Sequence, residues 1–331
     1  MQTSAHLIVK CLEAQGVELI FGIPGAKIDA VFDALNESSI RLIVCRHEQN
    51  ATFMAAAYGR LTGKPGVVLV TSGPGVANMA TGLLTATTEG DPVIAIGGNV
   101  ARSFQLRESH QKADNAKLME AVTKWSVEAT SSQSIPEIIA NAFRNATSLR
   151  KGACFISLPQ DILFEETNVK PVNISESPSY GHADSHKIKD AAELINTAKL
   201  PVILLGEEAS REENTQAIRN LLKDKPFPVV GTFQAAGVIP RDLEHLFVGR
   251  VGLFRNQPGD VLLQKADLVV TIGFNPVEYD PEQWNSDRSA KIIHIDYQKA
   301  DIHLMYQPKI ELVGDIAKTI QYIGDLISSK K

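Results

Sequence analysis

The chain has 331 residues, 44% hydrophobic and 21% charged, which supports sizeable buried cores and suits two domains of about 150 residues each. That balance excludes a disordered chain, a collagen-like repeat and a disulfide-stapled miniprotein. With 33 Lys plus Arg against 38 Asp plus Glu, a net charge of −5 and no basic run, neither nucleic acid nor a membrane is an expected partner.

In chain order, Ser4 to Gln15 has helical apolar spacing, with Gly16 placed to stop it. VELIFGIPG reads as a strand running into a glycine turn, and Ala26 to Leu35 as the next helix. The alternation continues with strand 40–45 (IRLIVC), a helix from Glu48 to Leu61, strand 66–71 (GVVLVT), a helix over 76–87 and strand 91–98 (DPVIAIGG). A polar, irregular stretch at 99–117 precedes a helix from Pro136 to Leu149 and strand 153–159 (ACFISLP). Short apolar runs separated by helices predict a parallel sheet covered on both faces. Residues 166–187 are polar, hold prolines and serines, and read as a linker. Beyond it come a helix over 186–198, strand 200–206, helix 212–222, strands 227–231, 267–273 and 291–296, and a helix from about Ile316 to Ile327. The fold class is therefore α/β, two doubly wound domains with mainly parallel sheets: residues 1–165, a linker at 166–187, and a Rossmann-like domain over 188–331.

Cys11, Cys45 and Cys154 are scattered without CxxC spacing, which fits reduced thiols in the cytoplasm better than disulfides or a zinc site. The start, MQTSAHLIVKCLEAQG, lacks a basic region followed by a long apolar stretch, so no signal peptide is expected. The uncharged run from Pro65 to Thr88 is split by SGPG into halves too short to cross a bilayer. No metal site is expected within the chain.

Parallel sheets bind ligands beyond the C-terminal ends of their strands, and GIPG, TSGPG and GGN all fall there. Glu48, after a strand and at a helix start, reads either as a first-turn carboxylate favoured by the helix dipole or as a carboxyl held for proton exchange. TSGPG (71–75) is a ligand-binding turn but neither a Walker loop nor GxGxxG. Lys27, His110 and Gln111 read from spacing alone as exposed polar residues. In the second half, LLGEEAS and TIGFNPVEYD place turns after strands without a dinucleotide fingerprint, and Cys154 and His294 are expected to be buried beside the sheets.

Together, FGIPGAKIDAVFDAL, RHEQNATFMAAAYGRLTGKPGVVLVTSGPGVANMATGL, EGDPVIAIGGNV, FISLPQDI and, later, FQAAGVIP, GRVGLFRNQPGDVLLQKADLVVTIGFNPVEYDPEQWN and HIDYQKADIHL resemble the thiamine-diphosphate-dependent enzymes of the acetolactate synthase group, above all its catabolic branch. The likeness covers nearly the whole chain. It implies that Glu48 hydrogen-bonds the aminopyrimidine of thiamine diphosphate and favours its imino tautomer. It further implies that Ile23, Pro24, Gly25, Thr71, Ser72, Gly73, Pro74 and Asn78 line the pyrimidine pocket. Gln111 would stand near the reacting carbon and Lys27 near the substrate. The implied reaction joins two pyruvates to 2-acetolactate with release of CO2.

In that family a third domain binds the diphosphate through Mg²⁺, using a GDG motif, and no Gly-Asp here is followed by Gly. The resemblance therefore implies a chain that matches the first two domains, lacks the diphosphate and Mg²⁺ site, and is inactive alone. It also implies a homo-oligomer, dimer or tetramer, with the active site at the subunit interface. FAD is not expected, because GRVGLFRNQPGD stands where flavin-binding relatives have a different pattern. Two other readings stay open: a pyruvate oxidase or decarboxylase, and a non-catalytic module that docks a separate third domain.

Overall fold

The computed structural model describes residues 1–148, 150–173 and 179–328. It divides into two units, Met1–Ser177 and Pro178–Lys331.

The first unit runs β1 (Gln2–Thr3), α1 (Ser4–Ala14), β2 (Leu19–Gly22), α2 (Asp29–Ala34), β3 (Arg41–Val44), α3 (Glu48–Thr62), β4 (Gly66–Val70), α4 (Pro74–Ala77), α5 (Ala80–Thr88) and β5 (Val93–Asn99). It continues with α6 (Asn115–Glu120), β6 (Trp125–Glu128), α7 (Ile135–Thr147), β7 (Ala153–Pro159), α8 (Gln160–Leu163) and β8 (Glu166–Thr167). Six strands form an all-parallel sheet in the order β3-β2-β4-β5-β7-β6. The central strands β4, β5 and β7 are buried along their whole length, as strands covered on both faces must be. One apolar core gathers α1, α2 and α7 on one face; another gathers α3, α5 and α6 on the other.

Local chemistry sets the helix ends. Thr3 caps α1 by accepting from the His6 N–H, and Gly16, at φ +74°, follows the helix. His47 caps α3 through Nδ1, which accepts from the Gln49 N–H at 3.2 Å, and Gly63 ends it in the left-handed region.

Several sequence expectations are corrected. The helix over 76–87 is two helices, because the Met79 N–H reaches Val76 O and tightens the turn. The irregular stretch 99–117 ends in α6, and the edge strand β6 follows it. The linker 166–187 starts as β8, paired antiparallel with β1, and its last residues already belong to a helix. The expected helix end at Leu149 and linker residues 174–178 lie outside the described residues.

The second unit runs α9 (Ser185–Thr197), β9 (Pro201–Leu205), α10 (Glu212–Asp224), β10 (Val229–Gly231), β11 (Phe247–Arg250), α11 (Pro258–Lys265), β12 (Leu268–Ile272), β13 (Lys291–Asp296), β14 (Ile310–Val313) and α12 (Ile316–Gly324). Its parallel sheet has the order β11-β10-β9-β12-β13-β14, which is the strand order of doubly wound dinucleotide-binding domains. β11, α11 and β14 were not anticipated.

Cys154 and His294 are buried on β7 and β13, as expected. His294 Nε2 meets Gln298 O at 3.1 Å and Nδ1 meets the Tyr306 hydroxyl at 2.9 Å, while that hydroxyl lies 2.8 Å from Thr271 Oγ1. A carbonyl only accepts, so Nε2 carries the ring proton and Nδ1 accepts from Tyr306. Burial lowers the pKa of this imidazole and favours the neutral form.

Candidate functional site

Sheet order explains why Gly25 meets Thr71 and Gly73 meets Gln111, residues far apart along the chain. Strands β3, β2, β4 and β5 are neighbours, and all run the same way. Their C-terminal ends therefore deliver four loops to one edge. Winding proceeds from β2 to β3 on one side and from β4 to β5 on the other, so the crevice between β2 and β4 is the switch point. The GIPG and TSGPG turns flank it.

Close backbone packing holds the two turns. A Cβ on Gly25 would lie 2.7 Å from Thr71 Cβ, and the Lys27 N–H donates to Thr71 Oγ1 at 3.4 Å. Ser72 is fully buried beneath its turn, and its hydroxyl takes no hydrogen bond among the described residues. Gly73 has φ +58°, and a Cβ there would lie 2.7 Å from Gln111 O. Gln111 itself has φ +62°. Two adjoining left-handed residues thus let the loop after β5 lie against the turn after β4.

Glu48 begins α3 and is half-buried. Its Oε2 accepts from Asn78 Nδ2 at 2.9 Å. Its Oε1 faces Gly75, where a Cβ would sit 3.4 Å away, and takes no hydrogen bond among the described residues. One carboxylate oxygen is therefore fixed by an amide while the other looks onto a bare glycine. Pro24 is exposed and Ile23 half-buried on the rim.

Lys27 is tied to a residue that the sequence reading did not single out. Its Nζ donates to Gln160 Oε1 at 3.3 Å, and Gln160 Nε2 returns a hydrogen bond to Ala26 O at 2.8 Å. A Cβ on Gly98 would lie 2.6 Å from Lys27 O. The motif FISLPQDI already placed Gln160 just past a strand end, which was the available signal. His110 is exposed. Asn115 is fully buried, and its Nδ2 donates to Gly98 O at 3.0 Å, anchoring the far end of the loop that carries Gln111. The near end is anchored by Glu128, which accepts from Gln105 Nε2 at 2.7 Å and from Ser157 Oγ at 2.8 Å.

The arrangement suits a flat, polar ring. Gly25, Gly73 and Gly75 supply backbone without side chains, and Glu48 Oε1 supplies an acceptor next to them. Among the described residues no three His, Cys, Asp or Glu side chains cluster as metal ligands, and no helix is long and apolar enough to cross a membrane.

Residues 2–119 match the profile "Thiamine pyrophosphate enzyme, N-terminal TPP binding domain", and residues 188–323 match "Thiamine pyrophosphate enzyme, central domain". Over 319 residues the chain is 56% identical to an acetolactate synthase of Bacillus subtilis (strain 168), covering 96% of this chain and 56% of that protein. It is 48% identical over 326 residues to a catabolic acetolactate synthase of Raoultella terrigena, covering 98% and 58%. The large subunit of acetolactate synthase isozyme 2 of Escherichia coli (strain K12) is 31% identical over 315 residues, covering 94% and 57%. The chain thus spans little more than half the length of these relatives.

Proposed function

Since the chain belongs to the thiamine pyrophosphate enzyme family, we propose that it supplies the pyrimidine-binding and central domains of a cytoplasmic acetolactate synthase. The observation that carries this reading is the Glu48 carboxylate. It is held by Asn78 on one oxygen and open towards Gly75 on the other, at the switch point of the first sheet.

When bound, thiamine diphosphate supplies the electron sink that lets one pyruvate lose CO2 and join the keto carbon of a second, giving 2-acetolactate. Glu48 would share one proton with a ring nitrogen of the aminopyrimidine through Oε1, donating it from the protonated carboxyl and taking it back as the carboxylate. Asn78 keeps the carboxylate from rotating away. Ile23, Pro24, Gly25, Thr71, Ser72, Gly73 and Pro74 shape the slot that orients the ring. Gln111 presents its amide beside the reacting carbon, and Lys27, steadied by Gln160, holds a positive charge for the substrate carboxylate. In this reading residues outside the two units hold the diphosphate and Mg²⁺, FAD is not required, and the site is completed at the interface of a homodimer or homotetramer.

The test is acetolactate formation from pyruvate with thiamine diphosphate and Mg²⁺. The chain is assayed alone and mixed with the C-terminal part of the Bacillus subtilis relative, with Glu48→Gln beside each. Product is expected in the mixture and is expected to fall about 10²–10⁴-fold in the variant, the range for a lost proton-transfer group. Full activity in Glu48→Gln, or acetaldehyde in place of acetolactate, would overturn the reading.

A further inference from the structure

Like the first sheet, the second has a switch point, here between β9 and β12, and open parallel sheets take their ligands in the crevice at that place. In this unit a side chain of the protein occupies it. Glu278, 5% exposed, lies on the loop after β12. Its Oε1 accepts from the N–H of Glu207, just past β9, at 3.2 Å, and from the N–H of Asn275, just past β12, at 3.0 Å. Its Oε2 accepts from the hydroxyl of Thr232, the first residue past β10, at 2.6 Å. One carboxylate therefore draws donors from the ends of three adjacent strands. Two main-chain N–H groups and a hydroxyl converging on one point form the donor set of an oxyanion site.

The neighbouring glycines fit this crowding. A Cβ on Gly206 would lie 2.7 Å from Glu278 Oε1 and 2.4 Å from Phe274 Cα. Gly273, at φ +58°, leaves no room either: a Cβ there would lie 2.6 Å from Ala209 N. The segment after β9 also carries Glu207, Glu208, Glu212 and Glu213, where a phosphate-binding turn needs small neutral residues.

We infer that Glu278 is an internal ligand: the second unit has an oxyanion-binding site at its switch point, of the class that takes a carboxylate or phosphate group, and the protein fills it with its own carboxylate. The crevice is thereby closed to external nucleotides, and the three strand ends are locked together. This inference is independent of the function proposed for the first unit.

The experiment is a thermal melt of the 331-residue chain, its Glu278→Ala variant and its Glu278→Gln variant. Each is measured in tens of millimolar sodium formate and in sodium chloride of equal ionic strength. Glu278→Ala opens a cavity lined by unpaired donors and is expected to melt lower by on the order of 5–10 °C. Formate, entering that cavity, is expected to return about 2 °C or more of the loss. The unsubstituted chain and Glu278→Gln, whose sites are filled, are expected to show no such response. Equal responses in all three proteins, or none in Glu278→Ala, would overturn the inference. If Glu278→Ala is recovered only as aggregate, its refolding yield with formate against chloride reads the same question: a higher yield supports the inference and equal yields refute it.

Discussion

Replacing Gly73 with alanine tests whether the turn after β4 and the loop bearing Gln111 are one packed unit. The perturbation has two parts. Gly73 sits at φ +58° and ψ −112°, where an L side chain is strained by about 1–3 kcal/mol. Its new Cβ would also stand 2.7, 3.0 and 3.1 Å from the O, Cα and C of Gln111. Those atoms are backbone, so no rotamer change relieves the contact, and Gln111 would have to retreat by roughly 0.7 Å or more to reach van der Waals distance. Overpacking of this kind costs about 1–3 kcal/mol, for a total of about 2–6 kcal/mol. Gly63→Ala is the control, because Gly63 has φ +71° but nothing within 4 Å of its Cβ position. It carries backbone strain alone. Calorimetry of the chain and hydrogen exchange of peptides covering 105–114 are the assays. Gly73→Ala should lower the melting temperature clearly more than Gly63→Ala and should speed exchange in that loop. Equal melting temperatures, with exchange unchanged, would refute the packing argument.

In the mixture with the C-terminal part of the Bacillus subtilis relative, Asn78→Ala removes the donor to Glu48 Oε2 and is expected to weaken thiamine diphosphate binding about 10-fold, the worth of a hydrogen bond to a charged group. Asn78→Asp sets a like charge at that 2.9 Å contact and should weaken it further; titration calorimetry checks the order of the two variants. Burial holds the His294 imidazole below its ordinary pKa of 6.5. Just beneath that pH the unfolded chain therefore binds more protons than the folded one. Stability should rise with pH across this window and be lost as pH falls through it. His294→Gln should flatten the dependence of melting temperature on pH just below 6.5, and an unchanged slope would refute the assignment.

How much of this was legible in the sequence follows from where each element sits. β4, β5 and β7 are interior strands, and two-sided burial forces continuous apolar runs such as GVVLV and ACFISLP that stand out from any neighbour. Within the two six-stranded sheets the strands that were not anticipated, β6 (WSVE), β11 (FVGR) and β14 (IELV), are short edges, half-buried and partly charged. That composition protects an edge from unwanted pairing, and it also erases the pattern a reader looks for. The same holds for the site. The glycine turns and Glu48 follow obvious strands and could be placed. Gln160 and Glu128 act on residues that adjoin them only in space, and no spacing along the chain reveals such partners. Glu278 is a further case: within TIGFNPVEYD it looks like one more surface carboxylate, and its role depends on three strand ends being side by side.

The three thiols differ in a way that makes the first unit easy to instrument. Burial pushes Cys11 and Cys154 up to about 12, so at neutral pH their reactive thiolate fraction falls roughly 1,000-fold below that of an ordinary cysteine. Burial raises the Cys45 thiol as well, but this side chain is only half-buried, just past β3 and three residues before Glu48, with its sulfur near Ile43 O and Met54 Sδ. A maleimide dye should therefore couple at a single position without prior mutagenesis. The probe would sit three residues before Glu48 in the chain, and its emission would report changes in the loop that joins β3 to α3.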